Sequence, residues 1–407
     1  MISAIPIFQN HREAIFVRRP NRFLIVARDG DDELDCHCPN PGRLAELLVP
    51  GARLILERRD QKVKVPKAAK TVGSAENPVS IKNPKTAWTV VAVFYWGSVV
   101  PLFSARANDI ARELLLAYII PNLHDIRAEF AVGGSRFDFL ATEANGQKHL
   151  VEVKACSLVQ GETALFPDAP SERATRHLEE LAVLSRQGYR CHVLFVVVHG
   201  SPSRFMPNPH TDPLFAATLA RLALQLEVHA ALVSCAADGM VSLVNPGIPV
   251  DLSPGILAAE NRGSYLVVLE LPQAFTITVG SLGAIDFKAG WYVYAGSAQK
   301  NLSQRLARHL RKIRKKTHWH LDWLTPHAGK LIALPIASWT NLECALATSQ
   351  CELGGKAVDR FGSSDCGCGS HLYYYPHPPL ADQAFMKMLF RFRLFALTAS
   401  GIPHTTR

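Results

Sequence analysis

The residues with the clearest chemical potential lie in one short stretch of strand-like sequence. Glu152 and Lys154 are two residues apart in an apolar run, and alternate residues of a strand project to the same face. Asp138 lies in the preceding strand-like segment, and a short turn joins the two, so their pairing can bring Asp138 beside Glu152. Two carboxylates placed in this way form an oxygen site suited to Mg²⁺ or Mn²⁺, which are the cofactors that the sequence predicts.

The chemistry expected of this site is attack of water on phosphorus. Lys154 could orient or deprotonate the water, while a bound metal stabilises the developing charge. Glu113, on the preceding predicted helix, is a candidate third carboxylate ligand. A Glu-x-Lys pattern is also common as a solvated pair on a strand, so the pattern alone leaves a purely structural role open.

The elements that must position these residues change in character along the chain. The first hundred residues have the short strands and frequent turns of a small barrel, and segment 64–85 has no periodicity and predicts an exposed loop. The predicted strands there are Phe23–Arg28, Leu34–Cys38, Leu54–Arg58, Trp88–Tyr95 and Val99–Phe103.

After residue 104, the order helix, three strands, helix, strand predicts an α/β layer fold. Asn108 is a candidate helix cap for the first helix and Ser171 for the second. The predicted helices are Ala107–Ile119, Ser171 to about Arg186, and Pro213–Leu224; the predicted strands are Ala128–Val132, Arg136–Ala141, His149–Ala155, Cys191–Val198, His229–Cys235 and Met240–Val244.

Composition limits the class of protein. The chain has 407 residues, 48% hydrophobic and 19% charged, which predicts two to three folded domains and excludes wholesale disorder. No apolar run approaches the roughly 18 residues of a membrane-spanning helix, and no secretory signal is visible at the N-terminus. The nine cysteines are an odd number, thinly spread, which favours reduced thiols in the cytoplasm. The net charge of +9 is compatible with a polyanionic partner.

The most basic segment lies in the C-terminal third. Residues 300–316 hold eight Lys or Arg and no Asp or Glu, which favours phosphate contact along a predicted helix Leu302–Lys315. The nucleic-acid contacts predicted there are Arg308, Arg311, Lys312 and Lys315.

A second possible metal site lies further on. Cys366, Cys368 and His371 have spacing that could ligate zinc with a fourth group, for which Cys351, His318 or His320 are candidates. The sequence favours the simpler interpretation of a glycine-rich loop with unpaired thiols, and no zinc is expected.

Residues 14–250 resemble the sugar fermentation stimulation protein A (SfsA) family. The resemblance rests on matching segments spread over most of two domains. These are His37-Cys38-Pro39-Asn40 with Gly42, Ser104–Leu114, Arg136–Leu140, Val151–Lys154, Ala164–Ala169, and Ser171-Glu172-Arg173 with His177-Leu178. Pro41 and Arg43 depart from the usual Thr and Ser, and residues 67–84 resemble an insertion.

The resemblance implies an OB-like β-barrel over residues 1–103 and a PD-(D/E)XK nuclease-like α/β domain over 104–250. It also implies DNA binding with little sequence preference, and a regulatory role in sugar metabolism, especially of maltose. Its implied DNA contacts are Arg18, Arg19, Arg22, His37 and Asn40 in the barrel, with Arg173 and His177 near the metal. The Pro39–Gly42 segment is equally consistent with a simple turn.

A third domain is expected over residues 262–380, after a linker over 251–261 and before a tail over 381–407. It resembles GIY-YIG-like domains of unknown function, which implies roles for Tyr265 and Tyr294 near the attacking water, Arg305 on phosphate and Glu343 on a metal. The spacing between the two tyrosine motifs is longer than in typical nucleases of this kind. A non-catalytic binding module is therefore an open alternative.

The sequence thus predicts an α+β and α/β multidomain protein, cytoplasmic and bacterial, that binds single- or double-stranded DNA and no membrane. If it is active, its reaction is metal-dependent phosphodiester hydrolysis at Asp138, Glu152 and Lys154. The alternative is a non-enzymatic regulator that uses a degenerate nuclease scaffold as a DNA clamp. RNA remains a further possible partner.

Overall fold

The structure is a computed structural model that describes residues 4–40, 42, 44, 47–49, 51–59, 86–95, 97–103, 105–313 and 316–398. The chain forms two compact units. The first contains Met1–Ala164, Leu184–Arg204 and Glu227–Pro249, and the second contains Leu165–Val183, Phe205–Leu226 and Val250–Arg407. The loop predicted over 64–85, the unusual residues Pro41 and Arg43, and the predicted DNA contact Lys315 lie outside the described residues.

The first unit begins with a small closed barrel. Its strands run in the order β4-β3-β2-β5-β6, and parallel pairing of β4 with β6 closes the ring into an OB-like barrel. The predicted strands of this region are confirmed to within two residues at each end. The strands are β1 Ala4–Pro6, β2 His11–Asn21, β3 Leu24–Asp29, β4 Asp32–His37, β5 Arg53–Arg58, β6 Trp88–Tyr95 and β7 Ser98–Pro101.

The same sheet continues beyond the barrel, where β7 pairs with β15, Glu227–Cys235. The order in this part of the sheet is β15-β13-β10-β9-β8, with parallel pairs from β15 to β10 and antiparallel pairs beyond β10. The strands of this part of the chain are β8 Leu123–Val132, β9 Ser135–Glu143, β10 Lys148–Cys156, β11 Leu158–Gln160, β12 Thr163–Phe166, β13 Arg190–Val197, β14 Arg204–Pro207, β15 Glu227–Cys235 and β16 Met240–Asn245.

The helix before this sheet has three segments, α1 Arg106–Ile110, a π-helical turn Ala111–Leu115 and α2 Leu116–Ile119. The sequence predicted one α-helix capped by Asn108. The cap prediction is wrong, because Asn108 lies inside α1 and its side chain is bonded to a neighbouring strand. The apolar side of the helix packs into the same core as the barrel and the sheet.

The second unit is built on one antiparallel sheet in the order β21-β17-β20-β23-β22, with a separate hairpin of β18 and β19. Apolar clusters cover both faces of this sheet. The strands are β17 Gly263–Leu271, β18 Phe275–Thr278, β19 Ala284–Phe287, β20 Gly290–Ala298, β21 Lys330–Ala337, β22 Lys356–Ala357 and β23 Leu372–Tyr375.

Helices supply the rest of this unit and of the chain. Ser171 caps α3 as predicted, since its hydroxyl accepts from the Ala174 amide at 3.2 Å. The helices are α3 Glu172–Ser185, α4 Pro213–Leu222, α5 Ser253–Glu260, α6 Leu302–Leu310, α7 Leu321–Leu324, α8 Glu343–Glu352 and α9 Gln383–Thr398, with 3₁₀ turns at Gly280–Leu282, Thr325–His327 and Pro379–Ala381.

The segment 251–261, predicted as a linker, contains α5, in which Leu257 and Ala258 are buried. The segment 381–407, predicted as a tail, contains α9, whose Phe385 and Met388 pack in the core of the second unit. One expectation about this region is wrong. The basic helix predicted to Lys315 ends at Leu310, because Arg311 is extended.

Candidate functional site

Asp138 is the most firmly held residue of the predicted oxygen site. It lies in β9, and the pairing of Phe139 with Val151 places it opposite Glu152 in the neighbouring β10. The Asn108 amide donates to Asp138 Oδ1 at 2.8 Å, and the Val153 backbone amide donates to Oδ2 at 2.8 Å. Two donors from different elements therefore fix the orientation of one carboxylate.

Glu152 and Lys154 share one face of β10, as the alternation predicts. Glu152 is only 3% exposed although it carries a carboxylate, and the Lys154 ammonium donates to Glu152 Oε1. The middle of the strand is buried because it has a neighbouring strand on each side. Glu152 is thus a carboxylate placed among buried residues.

Burial, and secondly the charge of Glu152, raise the pKa of Asp138 above its ordinary value, although the two hydrogen bonds oppose this change. Two carboxylates and one ammonium leave an excess negative charge in a partly buried site. A divalent cation would relieve the repulsion between the carboxylates, and carboxylate oxygens are the ligands that Mg²⁺ and Mn²⁺ prefer. The residues present therefore fit such an ion.

The structure does not bring Glu113 into this group. Glu113 lies in the π-helical turn, is exposed, and pairs with Arg112 at 3.7 Å. Among the described residues, Glu113 forms no cluster of three metal-ligand atoms with Asp138 and Glu152. From the same helix, it is Asn108 that reaches Asp138.

A chain of histidines, which sequence reasoning missed, crosses three strands of the first unit. His149 bonds to Glu143 at 2.8 Å and to His192 at 2.9 Å, and His192 bonds to His229 at 3.1 Å. Burial lowers the pKa of all three rings, and the pKa of His192 falls to about 3. The chain becomes recognisable only once β10, β13 and β15 are known to be neighbours.

The predicted DNA contacts of the barrel have different environments. Arg18 pairs with Glu33 at 2.9 Å, whereas Arg19 donates to the carbonyls of Asn40 and Gly42 and so holds the following turn. Arg22 is exposed, with its guanidinium 4.9 Å from the Phe23 ring.

The Asn40 side chain accepts from the Gly42 amide at 2.8 Å, which is the local bond of a tight turn. His37 lines a groove of about 750 Å³ in the first unit. Arg58, Arg59 and Arg106, which were not among the predicted contacts, line the same groove. Arg58-Arg59 at a strand end was the signal that could have indicated this basic surface.

Arg173 and His177 lie one turn apart on α3, with Arg173 Nε 3.4 Å from His177 Nε2. These two residues belong to the second unit, whereas Asp138, Glu152 and Lys154 belong to the first. Their contact with phosphate beside a metal stays a prediction.

In the second unit, Tyr265 of β17 and Tyr294 of β20 are both buried. The Tyr265 hydroxyl is 2.9 Å from His309 Nε2, and burial raises the pKa of both tyrosines. Gly296 is required at this point, because a Cβ there would lie 2.5 Å from the Tyr265 ring. The two predicted tyrosines and Arg305 are brought together around β20, since the charge of Arg305 acts on both rings.

Glu343 begins α8 and faces the same region. Its Oε2 accepts from the Ser297 hydroxyl at 2.6 Å, and its Oε1 lies 3.1 Å from His371 Nδ1. Burial acts to raise the pKa of Glu343, but the hydrogen bonds from His371 and Ser297 outweigh it and the pKa is lowered. Arg305 donates to the Ser297 carbonyl at 3.5 Å.

The basic segment is engaged more within the fold than the sequence indicated. Arg308 makes two bonds to Asp322, at 3.0 and 2.9 Å, and lies 4.3 Å from the Trp319 ring. Lys312 donates to the Ala328 carbonyl. Arg311 remains exposed. These cations therefore stabilise the turn after α6, in addition to any role in binding phosphate.

No helix among the described residues combines the length and apolar character needed to cross a bilayer. Three family models match successive parts of the chain. They are the SfsA N-terminal OB domain at residues 17–101, the sugar fermentation stimulation protein RE domain at 105–239, and the domain of unknown function DUF123 at 264–393.

Individual relatives agree with the first two matches. A sugar fermentation stimulation protein homolog of Pyrobaculum neutrophilum is 37% identical over 218 residues, which are 53% of this chain and 84% of that protein. A homolog of Moorella thermoacetica is 35% identical, over 58% of this chain and 94% of that protein.

Among solved structures, Pyrococcus furiosus SfsA in complex with Ca²⁺ matches with a TM-score of 0.51 and 24% identity, over 62% of this chain and all of that chain. That likeness shows the fold alone. The relatives and the family models show that the chain belongs to the sugar fermentation stimulation protein family and carries a DUF123 domain at its C-terminal end.

Proposed function

We propose that this protein binds DNA with little sequence preference, and that Asp138 and Glu152 hold a divalent cation for phosphodiester hydrolysis. The observation that carries the proposal is the fixed carboxylate of Asp138. It is oriented by Asn108 and by a backbone amide, and it faces the buried charge of Glu152. A protein that used these groups only for stability would gain little from burying two like charges together.

The cation would supply charge neutralisation at the phosphate. Lys154 stands beside Glu152 and can position the attacking water with its ammonium. The solved relative from Pyrococcus furiosus was determined with Ca²⁺, a hard cation that takes oxygen ligands, which supports an oxygen site in this family. Mg²⁺ and Mn²⁺ prefer the same ligands.

The groove of the first unit supports the choice of DNA. Arg58, Arg59, Arg106 and His37 line it, and among the described lining residues Glu57 is the one carboxylate. A basic groove next to an OB-like barrel can follow a phosphate backbone without reading bases. The affinity is then electrostatic and falls with salt.

A second candidate is a DNA-binding regulator without catalysis. The specific observation in its favour is the direct ion pair between Lys154 and Glu152, which neutralises one carboxylate without a metal. In this role, the nuclease-like sheet is a scaffold for the DNA-binding surface.

The decisive experiment incubates the full chain with labelled double-stranded DNA, single-stranded DNA and RNA, each with Mg²⁺, with Mn²⁺ and with EDTA. The proposal predicts binding that weakens steeply with salt, and cleavage only with a divalent ion. Binding without cleavage in every condition would support the regulator. Affinity that does not change between low and moderate salt would contradict both.

A further inference from the structure

Four side chains of the second unit converge on one point that the proposed function does not use. Cys344, Cys366, Cys368 and His371 each offer one ligand atom, and these four atoms all lie within 4.8 Å of one another. The sequence offers three of them as possible zinc ligands, with Cys351, His318 or His320 as the fourth, but it favours a loop with unpaired thiols. The structure instead supplies Cys344, from the first turn of α8.

The separations match a tetrahedral site. Zinc binds cysteine sulfur at about 2.3 Å and histidine nitrogen at about 2.0–2.1 Å, so tetrahedral ligands lie about 3.8 Å apart for two sulfurs and about 3.6 Å for sulfur and nitrogen. The Cys366 sulfur lies 3.3 Å from His371 Nε2. A small adjustment of side chains would therefore complete the coordination sphere.

The histidine is oriented as a ligand would be. A carboxylate can only accept, so His371 Nδ1 donates to Glu343 at 3.1 Å. This tautomer leaves the lone pair on Nε2, the atom that faces Cys366. A carboxylate that fixes the ring of a ligating histidine is the usual outer partner of protein zinc sites.

The backbone holds the ligands at fixed positions. The His371 amide donates to the Phe361 carbonyl at 2.8 Å, and its carbonyl accepts from Ala295 of β20 at 2.9 Å. Gly362 has a φ of +75°, and a Cβ there would lie 2.7 Å from the Tyr294 ring, so the loop that carries the cysteines is pressed against the sheet. Cys344 lies on a helix whose apolar side packs on the other face of the sheet.

We infer that Cys344, Cys366, Cys368 and His371 bind one zinc ion. Three soft thiolates and one imidazole select zinc over Mg²⁺ or Ca²⁺. With all four positions filled by the protein, the ion is structural. His371 bonds to one oxygen of the Glu343 carboxylate, and the Ser297 hydroxyl donates to the other oxygen. An ion that fixes His371 therefore also fixes the position of Glu343.

The first test measures zinc in the full chain purified under reducing conditions, by mass spectrometry of the metal after desalting. The wild type is expected to retain about one zinc per chain, and Cys344→Ser and Cys366→Ser to lose it. Cys351→Ser is the matched control, because Cys351 is exposed on the same helix and outside the cluster. Wild type without zinc, or equal loss in Cys351→Ser, would overturn the inference.

The second test uses only the wild type, so it does not depend on the folding of variants. The zinc-free protein is titrated with Co²⁺, and one equivalent is expected to give the charge-transfer absorption of thiolate ligands. A thiol reagent should modify Cys344, Cys351, Cys366 and Cys368 in the zinc-free protein, and only Cys351 once zinc is bound, because the other five cysteines are buried. A disulfide within the cluster under reducing conditions, with no metal bound, would contradict the inference.

A third test examines the outer partner. Glu343→Gln keeps all four ligands but removes the charge that orients His371, and it is expected to weaken zinc affinity roughly 10–100-fold. Glu352→Gln, at the exposed end of the same helix, is the control and should have no effect. Equal affinities in the two variants would contradict the assigned role of Glu343.

Discussion

Each of the two units brings together side chains that could bind a metal ion, but the ligand atoms differ. In the first unit, Asp138 and Glu152 lie on adjacent strands and offer only oxygen. In the second, Cys344, Cys366, Cys368 and His371 lie on a loop and a helix and offer sulfur and nitrogen. Ligand type therefore predicts a hard cation at the first site and zinc at the second.

The sites also differ in what holds them in place without an ion. The oxygen site has its own donors, since Asn108, the Val153 amide and Lys154 already bond to its carboxylates. The sulfur site has weak donors and acceptors, because thiols form poor hydrogen bonds. We therefore expect the first site to keep its geometry without metal, and the second to depend on its metal for order.

The largest effect should come from Lys154→Met. If Lys154 positions the attacking water, DNA cleavage should fall on the order of 10²–10⁴-fold while DNA affinity and the Tm in Mg²⁺ stay unchanged. Cleavage and thermal melting are measured on the same samples with and without Mg²⁺. A wild type that does not cleave, together with a variant whose lower Tm is not rescued by Mg²⁺, would instead identify Lys154 as the counter-ion of a clamp.

The next largest effect is a pH dependence of stability that comes from the buried histidines and not from the oxygen site. Two of these histidines, His192 and His229, lie close to Glu227 in the same unit. His192 has a pKa of about 3 in the folded state and about 6.5 when unfolded, so the unfolded chain binds more protons between these values. Stability of the first unit should fall as the pH drops below about 6.5, by up to about 1.4 kcal/mol per pH unit for each histidine that stays neutral.

Hydrogen exchange of peptides from β10 and β13 measures the stability of the first unit separately from that of the second. His192→Asn, which cannot ionise, should flatten the dependence on pH relative to wild type. A stability that is constant between pH 7 and 5 would contradict the buried, neutral state of the chain.

A smaller loss is expected from Asn108→Ala. The substitution leaves Asp138 Oδ1 without its 2.8 Å donor, and loss of such a partner costs about 1–3 kcal/mol. Urea denaturation measures the change, and Gln187→Ala, an exposed amide of the same unit, is the control. Equal stability of the two variants would show that the bond from Asn108 to Asp138 does not stabilise the oxygen site.

The smallest effect concerns DNA affinity. Arg58→Ala and Arg59→Ala should each reduce the slope of log affinity against log salt by about 0.9, with little change in stability. Fluorescence anisotropy with duplex DNA at several salt concentrations measures the slope. Arg127→Ala removes an exposed arginine that pairs with Asp125 on β8, and it should leave the slope unchanged. A change of the same size in this variant would show that the groove is not the DNA-binding surface.

The oxygen site could be predicted from sequence because its geometry is local. A two-residue spacing places Glu152 and Lys154 on one face of a strand, and a short turn forces the pairing that brings Asp138 near. Glu113 was misplaced because a π-helical turn changes which residues of the helix face the sheet. Periodicity in the sequence contains no signal for such a turn.

The fourth ligand of the cysteine cluster and the end of the basic helix could not be predicted, because both depend on long-range packing. Cys344 is more than twenty residues from Cys366, and nothing in the spacing links them until α8 and the loop meet around β20. The end of the basic helix at Leu310 also depends on residues distant in the sequence. The bonds of Arg308 to Asp322 and of Lys312 to Ala328 favour a turn over further helix. Both features arise from tertiary contacts that override local preference.

The most direct test of the central claim is calorimetric titration of Mn²⁺ into the zinc-loaded wild type and into Asp138→Asn. The two side chains have nearly the same shape, but the amide lacks the charge that would attract the ion. We predict one Mn²⁺ bound by the wild type and none by Asp138→Asn, with zinc content equal in both. A wild type that binds no Mn²⁺ at millimolar concentration, or an Asp138→Asn variant that binds it equally well, would contradict a cation site at Asp138 and Glu152.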